Sequence, residues 1–339
     1  LYKGEKMILG IDVSHWNTNS WENPKYFFDP FVAKEKGVSF AFIRASDPAL
    51  HPDTDRAFDT FAKTFAEAGI PYGCYHYARP ASNLYGSAVK QAESFWDLIK
   101  NKPFTLAPAL DLECKEVIGN NMVGLSFAKA FLERIEELSG MTPIIYTSPG
   151  FWTSLRDSAN ALWAAEYPLW IAHYFSSLKF PQYGIPDAVA NSTTLPTVPD
   201  PWKKKGKSWT IWQYCATGDG EFYGGDYAKH TDKVGLDLDV YRGTLEELLA
   251  ELGNGAVVQP PEPPQRVKVI CPFLRGRSQP RYFAGTSAVI FEQGQILYRT
   301  DEKPVFEPAS GITWIQVQVP GCPCCGMWIS SNSKYIQEL

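Results

Sequence analysis

Pro108-Ala109-Leu110-Asp111-Leu112-Glu113 is an apolar run that turns acidic at its far end. In an extended chain alternate side chains point to opposite faces, so Asp111 and Glu113 share one face and Leu110 and Leu112 the other. At about 3.3 Å per residue, their Cα atoms stand roughly 6.6 Å apart. Two carboxylates that close cannot both ionise freely, and one keeps its proton to higher pH. An acid beside an anion is what glycosidic bond cleavage requires. A solvated acidic strand end is the plainer reading of an isolated Asp-x-Glu. The surroundings of the run decide between the two.

Working outward, the run extends back to Thr105 and is one of eight. The others are Met7–Val13, Ser39–Ala45, Tyr72–Tyr77, Pro143–Thr147, Pro168–His173, Trp209–Tyr214 and Gly235–Val240. Helical patterns fall between several of them, over Asp55–Ala68, Tyr85–Lys100, Met122–Leu138 and Pro149–Ser158. In the first, Phe58, Phe61, Ala62 and Phe65 recur at helical spacing, and Gly69-Ile70-Pro71 stops the helix. Strands alternating with helices predict a parallel sheet, and eight of them an α/β, (β/α)8-type (TIM-like) barrel. Phe180 to Ser208 is rich in Pro, Asn, Thr and Lys and shows no helical period, so it reads as a long loop in place of a helix. The barrel is therefore expected to be irregular, and Lys203-Lys204-Lys205 to lie on a solvated loop, with contact to an anionic cell wall as the other reading.

Chemistry in such barrels sits at the C-terminal ends of the strands. Those ends carry Asp12-Val13-Ser14-His15-Trp16, Arg44 and Ser46, Tyr75-His76-Tyr77, Asp111 and Glu113, Tyr146, Trp170 with His173 and Tyr174, Trp212-Gln213-Tyr214, and Asp237 with Asp239. Acids and aromatics dominate, which is a carbohydrate-hydrolase pattern and not a phosphate-binding one. His76 reads as a structural or substrate-contacting residue ahead of a proton shuttle. Arg44 reads equally as a partner of a neighbouring carboxylate and as a sugar contact.

These residues resemble one known family along the first 250 or so positions. The matching pieces are Gly10-Ile11-Asp12-Val13-Ser14-His15-Trp16, Phe40-Ala41-Phe42-Ile43-Arg44-Ala45, Ala68-Gly69-Ile70-Pro71-Tyr72-Gly73-Cys74-Tyr75-His76-Tyr77, Gln91-Ala92 and Pro108 to Glu113. They continue with Pro143-Ile144-Ile145-Tyr146-Thr147, Leu169-Trp170-Ile171-Ala172-His173-Tyr174, Trp209-Thr210-Ile211-Trp212-Gln213-Tyr214 and Leu236-Asp237-Leu238-Asp239-Val240-Tyr241. In this order they are similar to the glycoside hydrolase family 25 lysozymes, the Chalaropsis-type muramidases. The resemblance implies hydrolysis of the β-1,4 bond between N-acetylmuramic acid and N-acetylglucosamine in bacterial peptidoglycan. It implies Glu113 as general acid and Asp111 as its partner, acting on the 2-acetamido group or on water, with Asp12 and Asp237 as the other two acids. It implies that Tyr75, Tyr77, Tyr146, Trp170, Tyr174 and Gln213 line the sugar groove, and Arg44, from its place at a strand end, joins them as a candidate substrate-binding residue. The family usually places Asn where Asp239 stands, so Asp239 adds charge on the face of Asp237. Stereochemistry stays open at this point.

The chain of 339 residues is long enough for a barrel plus an appendage. Gly253 to Arg266 is Pro-rich and reads as a linker. It divides a catalytic domain, 1–252, from a C-terminal domain, 267–339. That domain shows strand-like runs at Ala288–Phe291, Ile296–Arg299, Trp314–Val319 and Met327–Ile329 and no helical pattern. It reads as a small β-barrel and resembles, less closely, the bacterial SH3-like wall-binding domains. The resemblance rests on Leu274-Arg275-Gly276-Arg277-Ser278, Trp314-Ile315-Gln316-Val317, Gly326-Met327-Trp328-Ile329 and Tyr335-Ile336, and implies a cell-wall ligand. Cys322-Pro323-Cys324-Cys325 and Cys271 read as free thiols, ahead of a disulfide and of zinc, because their spacing is not that of a zinc knuckle. Cys74, Cys114 and Cys215 read as core fillers.

Other classes fit less well. A net charge of −5 argues against nucleic acid as the main partner. Five His without a His-x-x-x-His pattern argue against a metal, and no cofactor is expected. Chitinases on a related barrel carry Asp-x-x-Asp-x-Asp-x-Glu; here Thr105 and Ala107 precede Pro108 to Glu113, and two of the required acids are absent. A wall-binding protein without catalysis is the remaining alternative, and the survival of all four acids argues against it. No apolar run reaches the roughly 18 residues of a membrane span. Met7 reads as the natural start, and Leu1 to Met7 lack a signal-peptide core. This suits a phage endolysin released from the host cytoplasm, and equally a secreted bacterial lysozyme whose leader is missing.

Overall fold

Strand alternation decides which residues reach the middle of this protein. The computed structural model describes residues 7–18, 28–50, 53–114, 121–174, 184–191, 193–225, 235–255, 266–278, 287–300, 302–307, 310–319 and 322–338. Eight strands close a barrel: β1 (Met7–Val13), β2 (Val38–Ser46), β3 (Tyr72–Tyr77), β4 (Ala109–Asp111), β5 (Ile144–Thr147), β6 (Leu169–Ala172), β7 (Ile211–Gly218) and β8 (Leu236–Arg242). The expected parallel order holds from β1 to β7. It fails at β8, which runs antiparallel to both β7 and β1. The barrel is mixed, and the start of β8, not its end, lies level with the C-terminal ends of the other strands.

Each strand sends one set of side chains outward and one inward. Outward-facing Leu9, Ile11, Ala41, Ile43, Cys74, Leu110, Leu112, Ile145, Ile171 and Leu238 are buried against the helices. Inward-facing Ile8, Phe40, Phe42, Ala109, Ile144, Trp170, Ile211 and Tyr241 fill the lower barrel. Gly10 makes room for this filling: a Cβ there would fall 2.3 Å from the Phe40 ring.

The helices are α1 (Pro30–Glu35), α2 (Phe58–Ala68), α3 (Ser82–Tyr85), α4 (Ala88–Ile99), α5 (Asn121–Ser139), α6 (Pro149–Ser154), α7 (Asp187–Ala190), α8 (Asp200–Lys204) and α9 (Leu245–Leu252). α2 buries Phe58, Phe61 and Phe65 as its periodicity predicts, at about 1.5–3 kcal/mol each. It ends at Gly69 in the left-handed region (φ 63°). α9 starts at a capping box, with Thr244 and Glu247 each bonding the other's backbone N–H. Its Leu248 and Leu252 close the bottom of the barrel.

Two expectations are corrected here. β4 is three residues long instead of spanning Thr105–Glu113, because Pro108 has no N–H and Ala107 N–H is taken by the Leu252 carbonyl of α9 (2.7 Å). The described part of Phe180–Ser208 is not all loop. It contains α7 and α8, and Lys203 and Lys204 form the last turn of α8.

The C-terminal part is a separate antiparallel sheet. Its strands are β9 (Arg266–Val269), β10 (Phe273–Arg277), β11 (Ser287–Glu292), β12 (Ile296–Arg299), β13 (Val305–Glu307), β14 (Ile312–Val319), β15 (Cys322–Ser330) and β16 (Ile336–Glu338). They pair in the order β11-β10-β15-β14-β12-β9-β16, with β13 on β14. Val267, Val269, Leu274, Phe291, Leu297, Ile315, Val317 and Ile329 form its core. It meets the barrel through α1, where the Phe31 and Tyr298 rings lie 4.4 Å apart and Arg266 pairs with Glu35. Residues 256–265 of the predicted linker, and the side chains of Cys322, Cys324 and Cys325, lie outside the described residues; Cys74, Cys114, Cys215 and Cys271 form no disulfide among the described residues. No helix among the described residues is long and apolar enough to cross a membrane.

Candidate active site

Above the aromatic filling of the barrel the inward residues turn polar. Climbing each strand gives Asp12 on β1, Arg44 on β2, Tyr75 and Tyr77 on β3, Asp111 on β4, Tyr146 on β5, Trp170 on β6, Gln213 on β7 and Asp237 on β8. Together with Glu113, Tyr174, Ser14 and Trp16 they line one open cavity of about 280 Å³. All eleven residues proposed from the sequence face it. His76 does not: it is on the outward register of β3.

Glu113 stands two residues beyond Asp111, past the end of β4, yet its backbone is anchored. Leu112 N–H bonds the Tyr146 carbonyl at 2.9 Å, and the Leu112 carbonyl accepts the Thr147 hydroxyl at 3.0 Å. The β alternation is thereby carried one step further, and Glu113 faces the cavity beside Asp111. Burial, and then the charge of Glu113, push the Asp111 carboxyl well above the ordinary range. Asp111 Oδ1 is buried and meets no donor among the described residues.

Asp12 and Asp237 sit directly opposite each other in the β1–β8 register. Burial, then Asp12, Asp239 and Glu113, raise Asp237 well above the usual carboxylate value. Asp12 is raised to about 7, by burial first and by Glu113, against the bond it accepts from Gln213. That bond is 2.6 Å, from Gln213 Nε2 to Asp12 Oδ2. The Tyr146 hydroxyl donates to Gln213 Oε1 at 2.8 Å, and the Tyr174 hydroxyl donates to the same oxygen. The two tyrosines therefore turn the Gln213 amide so that its N–H faces Asp12. Asp239 lies two residues deeper than Asp237, fully buried, and is not part of the lining.

Arg44 is the basic residue of the lining. Its Nε bonds Asp55 Oδ2 at 2.8 Å, and His15 Nδ1 stands 2.9 Å from the same oxygen. Its partner is thus the residue ahead of α2 and not a strand-end acid, and its charge favours the ionised forms of Asp12 and Asp111. His76 is held between the Ser46 hydroxyl (2.8 Å from Nδ1) and Gln91 Oε1 (3.0 Å from Nε2) and is lowered to about 4 by burial. It is a structural group.

Ser14 and Trp16, read from the sequence as part of the first strand's end but given no role in the site, are lining residues too. They leave β1 on the short 3-10 turn His15–Asn17, where alternation no longer applies. Ser14 caps that turn, and Asn17 Oδ1 accepts Ser14 N–H at 2.9 Å. The turn places Trp16, 40% exposed, against the ring of His15 (4.9 Å) on the cavity rim. Tyr174, 48% exposed, stands at the end of β6. Tyr77 is backed by the Arg79 guanidinium, 4.6 Å from its ring, which Asp47 grips at 2.9 and 3.0 Å. The cavity thus combines four acids, one cation and an aromatic wall, open to solvent. No cluster of His, Cys, Asp and Glu suited to a metal ion occurs among the described residues.

The chain is similar to several known proteins. Lysozyme M1 of Streptomyces globisporus is 29% identical over 262 residues, covering 74% of this chain and 72% of that protein. The N,O-diacetylmuramidase of Chalaropsis sp is 28% identical over 235 residues, covering 64% and 91%. The crystal structure of the bacterial lysozyme from Streptomyces coelicolor superposes with a TM-score of 0.54 at 27% identity, over 74% of this chain and 98% of that one. The profile of "Glycosyl hydrolases family 25" matches residues 11–221, a span that holds Asp12, Asp111 and Glu113 and takes up more than half of the chain. The chain therefore belongs to glycosyl hydrolase family 25.

Proposed function

We propose that this protein hydrolyses peptidoglycan at the β-1,4 bond between N-acetylmuramic acid and N-acetylglucosamine, with Glu113 as the acid. The observation that carries this reading is the convergence of Asp12, Asp111, Glu113 and Asp237 on one open cavity walled by tyrosine and tryptophan. Relatives named as a lysozyme and an N,O-diacetylmuramidase support it. Aromatic faces cover the apolar side of sugar rings, and Trp16 and Tyr174 on the rim have the exposure to do so.

The Asp111–Glu113 pair retains one proton. Burial and the charge of Glu113 hold the Asp111 carboxyl above the usual range, and its Oδ1 has no donor among the described residues. A bound sugar brings its 2-acetamido N–H to Asp111, which favours the ionised form there and leaves the proton on Glu113. Glu113 then protonates the leaving oxygen as the C–O bond breaks. The acetamido oxygen, oriented through its N–H by Asp111, closes on the anomeric carbon from the opposite face, and water opens that ring with Glu113 now taking its proton. Asp12 and Asp237 surround the developing positive charge. The C-terminal sheet serves as an SH3-like wall-binding domain; Phe273 and Ile290, both exposed, lie on neighbouring strands β10 and β11. The work of the chain is then at the bacterial cell wall.

Glu113→Gln keeps the shape of the side chain and removes its acidity. It should lower the rate of clearing of purified cell walls by about 10²–10⁴-fold, the usual worth of a general acid. An unchanged melting temperature checks that the fold is kept. Near wild-type clearing by the folded variant contradicts the assignment.

A further inference from the structure

We propose that Asp239 is held as a neutral carboxylic acid that donates its proton to Asp12, so that it positions the Asp12 carboxylate instead of adding a fifth charge to the site. The inference rests on the hydrolase reading of the cavity for its kinetic consequence, but its structural basis is independent of that reading. β8 runs antiparallel, which sets Asp239 level with Gly10 of β1 and Gln213 of β7, beneath the cavity floor. It has no exposed surface. Its Oδ1 accepts Trp170 Nε1–H at 2.7 Å. No N–H or O–H donor among the described residues reaches its Oδ2. Yet its carboxyl and that of Asp12 lie within hydrogen-bond reach of each other. Two carboxyl groups form a hydrogen bond only if one of them carries a proton.

The surroundings assign that proton. Asp12 opens to the cavity, accepts Gln213 Nε2–H at 2.6 Å, and has the charge of Arg44 in its favour. Asp239 is sealed between Asp12 of β1, Trp170 of β6, Gln213 and Tyr214 of β7, and Asp237 of its own strand, and none of these is a cation. An unpaired buried charge is costly, whereas a buried acid with a donor on one oxygen and an acceptor for its proton is satisfied. Burial and the charge of Asp12 accordingly hold Asp239 protonated well above the usual carboxylate range. Asp12 is then gripped on two sides, by Gln213 and by Asp239, which sets its orientation toward substrate. Asp239 is a positioning residue and touches no substrate.

Infrared difference spectroscopy of the wild type against Asp239→Asn at neutral pH tests this directly. The account predicts that the variant loses a protonated-carboxyl stretch, and that Asp239→Leu loses the same band. Loss of an ionised-carboxylate band in either variant overturns it. This readout needs no turnover, so it decides the state of Asp239 whether or not the chain proves to be a muramidase. In kinetics, Asp239→Asn supplies an amide N–H to Asp12 and a carbonyl to Trp170. It should retain most of the wild-type kcat. Asp239→Leu leaves Asp12 short of a donor and should lower kcat about tenfold, with KM changed less. An Asn variant as impaired as the Leu variant overturns the proposal.

Discussion

Asp12 shows how the cavity trades stability for reactivity at single residues. Its folded value of about 7 lies above the 3.8 of the free carboxyl, chiefly because it is buried. Folding therefore binds a proton in the interval between them. The stability this contributes is complete below about pH 4 and is lost as the pH rises through about 7. Asp12→Asn should flatten this part of the stability profile, measured as urea midpoints across that interval; an unchanged slope counts against a strongly raised Asp12. At this scale the sequence was informative wherever the strand period applied. The inward column of every strand could be written down from alternation, and the acids and aromatics at its top were legible. Ser14 and Trp16 were read at the first strand's end without a role in the site, and it is the 3-10 turn His15–Asn17 that sets where Trp16 stands. The depth of Asp239 escaped because an alternating pattern reads the same in both directions and so does not reveal that β8 is reversed.

Among the elements, β3 and α4 show how the outward register supports the inward one. His76 turns away from the cavity and is tied to Gln91 of α4, whose amide nitrogen also donates to the Arg79 carbonyl at 2.8 Å. This joins the helix to the chain just after Tyr77. Gln91→Leu leaves the buried His76 N–H without its acceptor and should cost about 1–3 kcal/mol in urea unfolding. Its kcat should change little, since neither residue faces the cavity; a large loss of kcat at unchanged stability contradicts the structural role. β1, β3 and β12 were legible to their end residues. The true length of β4 was not, because it is set by a distant partner, the Leu252 carbonyl of α9. α7 and α8 are too short to show a helical period, whereas α9 carried a usable signal in Thr244-x-x-Glu247.

At the scale of the whole molecule, the barrel places its four acids from strands far apart in sequence. Asp12 and Asp237 are brought together only because β8 closes on β1. The antiparallel closure is what turns an acidic pair on β4 into a ring. The C-terminal sheet adds a second surface, joined to the barrel at Phe31 and Tyr298 and at Glu35 and Arg266. Composition and the Pro-rich stretch made the two-part organisation legible, but strands β9, β10, β13 and β16 were left unassigned as elements because runs of three to five residues carry too little pattern. The central claim is the bond that this ring cuts. Digestion of purified peptidoglycan, followed by borohydride reduction and mass analysis of the fragments, reads it directly. The account predicts new reducing ends on N-acetylmuramic acid, absent with Glu113→Gln; new reducing ends on N-acetylglucosamine, or none at all, would contradict it.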